Sequence, residues 1–159
     1  MSDNKFLLNS ILAFSILSLS IAYFVQYILG HKPCNLCLIE RIPYLSAVVV
    51  ISLIFITKKF ERLFSAIVLL FFMFGSLVSF YHVGIEQGFF DESLVCNLEN
   101  STESLSKDQL LKQLKNVPIS CKEVTFRFLG LSLATINTII SIILSGIMLK
   151  IINNYGQNK

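Results

Sequence analysis

The stretch LFSAIVLLFFMFGSLVSFYHVGI, from Leu63 to Ile85, holds no lysine, arginine, aspartate or glutamate. A helix needs about 20 residues to cross roughly 30 Å of hydrocarbon, so this run is long enough to span a bilayer on its own. Working outward, three more apolar runs surround it: Phe6–Leu29, Ile42–Thr57 and Phe128–Leu149. The run Ile42–Thr57 is short at 16 residues and reaches spanning length only if Glu40, Arg41 and Lys58 act as flanks extending to the headgroups. Lipid offers no partner to unpaired backbone groups, and nothing here alternates with period two, so the spans are expected to be helices. The fold class expected is an all-α integral membrane protein. It is a single four-transmembrane-helix bundle over residues 1–159, with loops at 30–41 and 86–127 on one face.

Composition agrees with that expectation. Of 159 residues, 54% are hydrophobic and only 14% charged, against about 25% charged in a soluble domain, which excludes a water-soluble globule. A secretory leader is a poor description of the N-terminus: the apolar run exceeds a 7–15-residue signal core, and Tyr27-Ile28-Leu29-Gly30 has no small-x-small cleavage pattern. The net charge of +3 comes with no basic stripe interleaved with aromatics, so no nucleic-acid partner is expected and the positive charge suits anionic lipid. Four spans put both termini on one face. That face concentrates Lys5, Lys58, Lys59, Arg62, Lys150 and Lys159 in short segments, whereas Lys32, Arg41, Lys107, Lys112, Lys115, Lys122 and Arg127 are spread along the other. Charge density therefore predicts cytoplasmic termini. All four cysteines, Cys34, Cys37, Cys96 and Cys121, fall in the two loops of the opposite face, where an extracytoplasmic setting lets disulfides persist.

The first of those loops reads GHKPCNLCLIERIP, Gly30 to Pro43. A CxxC spacing suits either a small redox-active disulfide ring or two ligands of a zinc site. Structural zinc normally needs a second close pair, but Cys96 and Cys121 are far apart in sequence and His31 adds one ligand at best, so no metal is expected. A reactive thiol needs a positive neighbour or a helix N-terminus. If the second span starts near Cys37, Arg41 follows four residues on, on the same helical face. The competing role for Arg41 is a snorkelling headgroup anchor.

The run Lys32-Pro33-Cys34-Asn35-Leu36-Cys37-Leu38-Ile39-Glu40-Arg41 resembles the KPCxLCxxER signature of the DsbB family of disulfide-bond formation proteins. Phe128-Leu129-Gly130-Leu131-Ser132 is similar to the segment that opens that family's fourth helix. The order of parts agrees along the chain: span, CxxC loop, span, short turn, span, long loop with two separated cysteines, span. The chain departs from the pattern in having no tryptophan, with Phe126 standing where many relatives have such an aromatic. The resemblance implies a thiol:quinone oxidoreductase of the bacterial inner membrane that re-oxidises a periplasmic, thioredoxin-like DsbA-type dithiol oxidase and passes the electrons to ubiquinone or menaquinone. Carried over by position, Cys96 takes the mixed disulfide with the partner, Cys121 is displaced and exchanges with Cys34, and Cys37 is the thiolate facing the quinone. Arg41 then polarises a quinone carbonyl, and His82 is a second residue for ring contact or proton donation.

Each of these residues also has a plainer role. His82 can be an interfacial polar residue at a membrane end, and Glu86, four residues on, either orients that imidazole or faces water, the second being the plainer role. Cys96 and Cys121 can form a disulfide that only staples the long loop. Within that loop Ser106-Lys107-Asp108-Gln109 has the form of a capping box, and Leu110, Leu111, Leu114 and Val117 share one face of a short amphipathic helix ended by Pro118. Ser132, Thr135, Asn137, Ser141 and Ser145 in the last span are expected to serve close helix packing and interhelical hydrogen bonds. Two other classes compete. A non-enzymatic four-span scaffold would keep its loop disulfides permanently closed, and an enzyme like vitamin K epoxide reductase would carry its CxxC near the end of the bundle and not after the first span.

Overall fold

The structure is a computed structural model, describing residues 2–57, 60–91, 96, 121–122, 127–128 and 130–157. Its elements are α1 (Ser2–Tyr27), α2 (Asn35–Ile39), α3 (Ile42–Thr57), α4 (Glu61–Glu86), β1 (Arg127–Phe128), β2 (Leu131–Ser132) and α5 (Leu133–Gln157). Four segments, Asn4–Tyr27, Asn35–Thr57, Glu61–Glu86 and Leu133–Gly156, are helical, long and apolar enough to cross a membrane. The chain is thus a four-helix membrane bundle.

The short second span acquires its length in an unexpected way. The helical turn α2 precedes α3 with only Glu40 and Arg41 between them, so the apolar helical segment starts at Asn35. Glu40 therefore does not reach for headgroups; it is buried at the α2–α3 junction. Cys34 caps α2, its sulfur accepting the backbone N–H of Cys37 at 3.3 Å in the place an oxygen usually takes at an N-cap.

The start of the last span differs as well. Phe128 lies in a two-stranded antiparallel hairpin, paired with Leu131, and not in the helix. Gly130 takes φ +84° in the tight turn, a conformation that costs a side-chain-bearing residue. Ser132 then accepts the N–H of Thr135 at 3.2 Å, which fixes the helix start at Leu133 and makes Ser132 a cap, not a packing residue. The helix continues beyond Leu149 to Gln157. The amphipathic helix expected around Ser106–Pro118 lies outside the described residues.

Helix α4 is central, packed along α5 and against α3, while α1 leans mainly on α3. Ala47, Ile51, Val68, Phe72, Met148 and Ile151 are closed off at the centre of the bundle. Phe6, Leu17, Ile56, Leu70 and Leu77 point outward, as lipid permits. Where α3 and α4 cross, Gly75 lets Pro43 approach so closely that a Cβ there would stand 2.8 Å from the Pro43 ring. Asn154 donates to Asn4 at 3.0 Å, tying the end of α5 to the start of α1. Cys34, His82 and the end of α4 gather at the opposite end of the bundle.

Candidate functional site

Two sulfurs lie at that second end. Cys34 is buried and Cys37 half-buried, and their Sγ atoms are 2.7 Å apart. Cys34 Sγ also lies 3.6 Å from Nε2 of His82, carried in by α4. The hydrogen bond from the Cys37 thiol holds the Cys34 thiol down, against the upward push of burial, and the His82 contact and charge add to the fall; its pKa drops from 9.0 to about 4. The thiolate of the pair is therefore favoured on Cys34.

Behind the sulfurs stands a buried polar chain. His82 Nδ1 is 2.7 Å from Oε1 of Glu40. The second carboxylate oxygen of Glu40 accepts Asn137 Nδ2 at 2.9 Å. Asn137 also donates to Ser79 Oγ at 2.6 Å, and its carbonyl oxygen accepts the Tyr44 hydroxyl. A carboxylate taken out of water is costly unless both oxygens are engaged, and here both are. Glu86 Oε1 sits 3.8 Å from the other nitrogen, Nε2, with its side chain only 7% exposed. Glu86 is thus turned inward to the histidine and does not face open water.

Cys96 and Cys121 are joined in a disulfide, and both are buried. They share one apolar cluster with Cys34, Leu36 and Ile85. The fold thereby brings a dithiol pair and a disulfide into the same small volume.

Of the residues singled out from sequence, Cys34, Cys37, His82 and the Cys96–Cys121 disulfide come together, and the Arg41 side chain is engaged with α1. Its Nη1 donates to Gln26 Oε1 at 2.6 Å, and its guanidinium lies 5.1 Å from the centre of the Tyr23 ring, both on α1. The chain tightens after α2, with the Arg41 N–H bonding Leu38 O at 3.2 Å. The sulfur with His82 beside it is Cys34. Asn137 makes the interhelical hydrogen bonds expected of it, whereas its place behind the sulfurs, and the whole role of Glu40, do not follow from the sequence. A carboxylate three residues after the second CxxC cysteine, and an amide inside an apolar span, were the available signals, since polar groups at membrane depth pair with one another.

Four spanning helices with a CxxC thiol pair and a disulfide gathered at one end define a membrane protein of thiol–disulfide chemistry. The model of the family described as disulfide bond formation protein DsbB matches residues 4–151, and the chain belongs to the DsbB family. It is 29% identical over 145 residues to an uncharacterized protein of Rickettsia prowazekii (strain Madrid E), covering 89% of this chain and 84% of that one. It is 26% identical over 124 residues to the disulfide bond formation protein B of Stutzerimonas stutzeri (strain A1501), covering 75% of this chain and 76% of that one. No solved structure matches it. Family membership makes it a multi-pass membrane protein of disulfide-bond formation with an oxidoreductase role.

Proposed function

We propose that this protein re-oxidises a periplasmic DsbA-like dithiol oxidase and passes the two electrons to a membrane quinone, ubiquinone or menaquinone. The observation that carries this reading is the burial of the Cys96–Cys121 disulfide in one cluster with Cys34. Exchange moves between sulfurs in contact, through a mixed disulfide. A thiolate of the reduced partner attacks Cys96, breaking the Cys96–Cys121 bond and releasing Cys121 as thiolate. The partner's second thiol then displaces Cys96, so the partner leaves oxidised and the loop pair is left as a dithiol. Cys121 attacks Cys34 of a Cys34–Cys37 disulfide, releasing Cys37, and Cys96 closes back onto Cys121. The electron pair and two protons now reside on Cys34 and Cys37, and the loop disulfide is restored.

A quinone bound beside this pair supplies the acceptor for two electrons and two protons. The residues suit such a group: Cys37 is half-buried, and the exposed apolar Leu38 and Ile42 and the Arg41 cation follow it in sequence. Arg41, steadied by Gln26 and Tyr23, is the charge available to a carbonyl oxygen there. His82, oriented by Glu40, holds Nε2 toward Cys34 and serves as the station for the thiol proton. The setting is the bacterial inner membrane, with termini cytoplasmic and the cysteines periplasmic, as charge density and cysteine placement together require.

The test is quinone reduction followed by ultraviolet absorbance, using detergent-purified protein, a reduced DsbA-type partner and analogues of both quinones. Turnover is expected, and it should vanish in Cys37→Ser while that variant still traps a partner adduct at Cys96. Arg41→Ala should mainly raise the quinone concentration needed. Folded protein with no turnover on either acceptor overturns the reading in favour of a scaffold with a structural Cys96–Cys121 staple.

A further inference from the structure

We propose that Cys34, Cys37, His82 and Glu86 form a binding site for a thiophilic divalent cation such as zinc or cadmium. The site exists only in the dithiol state, and a cation held there blocks the thiols. The sequence argument against a metal was the want of a third and fourth ligand near the CxxC. The fold supplies them from the end of α4. Cys34 Sγ, Cys37 Sγ and a His82 ring nitrogen all lie within 4.8 Å of one another. The 3.6 Å between Cys34 Sγ and His82 Nε2 is what a sulfur and a nitrogen show across tetrahedral zinc, about 3.6 Å from bonds of about 2.3 and 2.05 Å. Glu86 Oε1 is 3.8 Å from the same nitrogen but lies outside that three-atom group, so it joins as the fourth ligand only by closing in on the sulfurs. The two sulfurs stand at 2.7 Å and must part to about 3.8 Å to share a metal. Cys37 is the half-buried member and has the freedom to swing, and its exposed side is the entry path.

The second shell is what separates this cluster from an accidental one. A ligating histidine is typically oriented by a carboxylate on its other ring nitrogen. Glu40 does this at 2.7 Å from Nδ1, leaving Nε2 on the side of the sulfurs, where the deprotonated nitrogen would meet a cation, and Asn137 in turn holds Glu40. Binding displaces the protons still held by the thiols and the imidazole with no change in oxidation state, and a Cys34–Cys37 disulfide has no thiolate to offer. The site goes beyond the quinone reading and does not depend on it, so cation binding and turnover can fail separately.

The experiment uses the full chain in detergent with Cys96→Ser and Cys121→Ser, leaving the CxxC thiols alone, reduced by a phosphine and titrated with cadmium. One cadmium per chain is expected, with a thiolate-to-metal ultraviolet band and a cadmium NMR shift of a two-sulfur set. Bound cadmium should slow maleimide alkylation of Cys37 and be lost when diamide closes the Cys34–Cys37 disulfide. Glu40→Gln should weaken binding by about 10–100-fold through the second shell, and His82→Ala by at least about as much. Glu86→Gln, which conserves shape, should also weaken it, guarding against a folding failure in the other variants. Affinity unchanged in His82→Ala and Glu86→Gln, cadmium retained after oxidation, or alkylation indifferent to cadmium overturns the proposal.

Discussion

At the scale of single residues the chemistry turns on which sulfur carries the charge. The Cys37 hydrogen bond is the largest influence lowering the Cys34 thiol, and the His82 contact comes after it, so the pKa of about 4 is a property of the pair and its neighbour. Alkylation of Cys34 in the reduced protein should therefore proceed well below pH 9, with a midpoint far down toward pH 4. Cys37→Ser should raise that midpoint most and His82→Ala raise it less, read by mass spectrometry after timed alkylation. The same depression has a consequence for stability. A thiol whose folded value lies below its unfolded value of 9.0 stabilises the folded dithiol form fully above pH 9, and that contribution drains away as pH falls through about 4. Cys34→Ala should accordingly lower the reduced protein's Tm more at pH 8 than at pH 5. An equal loss at both values would mean that the thiolate makes no contribution.

Helices meet in this bundle through small residues and a few buried polar ones, which gives each contact its own test. A Cβ on Gly75 would stand 2.8 Å from the Pro43 ring, whereas one on Gly146 meets nothing within 4 Å. Gly75→Ala should thus cost about 1–3 kcal/mol by overpacking α3 against α4. Gly146→Ala should stabilise by up to about 1 kcal/mol through helix propensity. Unfolding in mixed detergent checks both, and the opposite signs separate packing from propensity. Asn137 joins α5 to Tyr44, Ser79 and Glu40, so Asn137→Ala should cost about 1–2 kcal/mol, in the range of interhelical hydrogen bonds in membranes. These contacts mark the boundary of what sequence conveys. The four spans were legible because apolar length alone demands a helix in lipid, and the CxxC because its two cysteines are neighbours. The start of α5 was not, since Phe128 and Leu131 are apolar in either setting and the hairpin hangs on one turn at Gly130 and one cap at Ser132. Glu40 with His82 and Asn137 was also invisible, because those partners are 42 and 97 positions away and only helix packing sets them side by side.

The whole molecule has two unlike ends, and the proposed function needs them to face different compartments. At one end Asn154 holds Asn4 and the flanking segments are dense in lysine and arginine; at the other the dithiol pair and the Cys96–Cys121 disulfide share an apolar cluster. A disulfide persists where the surroundings are oxidising, and a thioredoxin-like partner of the periplasm can reach only that side. On the proposed function the charge-dense end is cytoplasmic, which is also the expectation from the positive-inside tendency, although the two arguments share no residue. A phosphatase reporter, active only outside the cytoplasm, should be silent when fused after Gln157 and active when fused after Phe89, with a fluorescent protein giving the reverse pattern. An active phosphatase at Gln157 would put the cysteines in a reducing compartment. The Cys96–Cys121 disulfide would then lack both an oxidising setting and its periplasmic partner, so this one inversion would remove the proposed relay even if every distance at the site were correct.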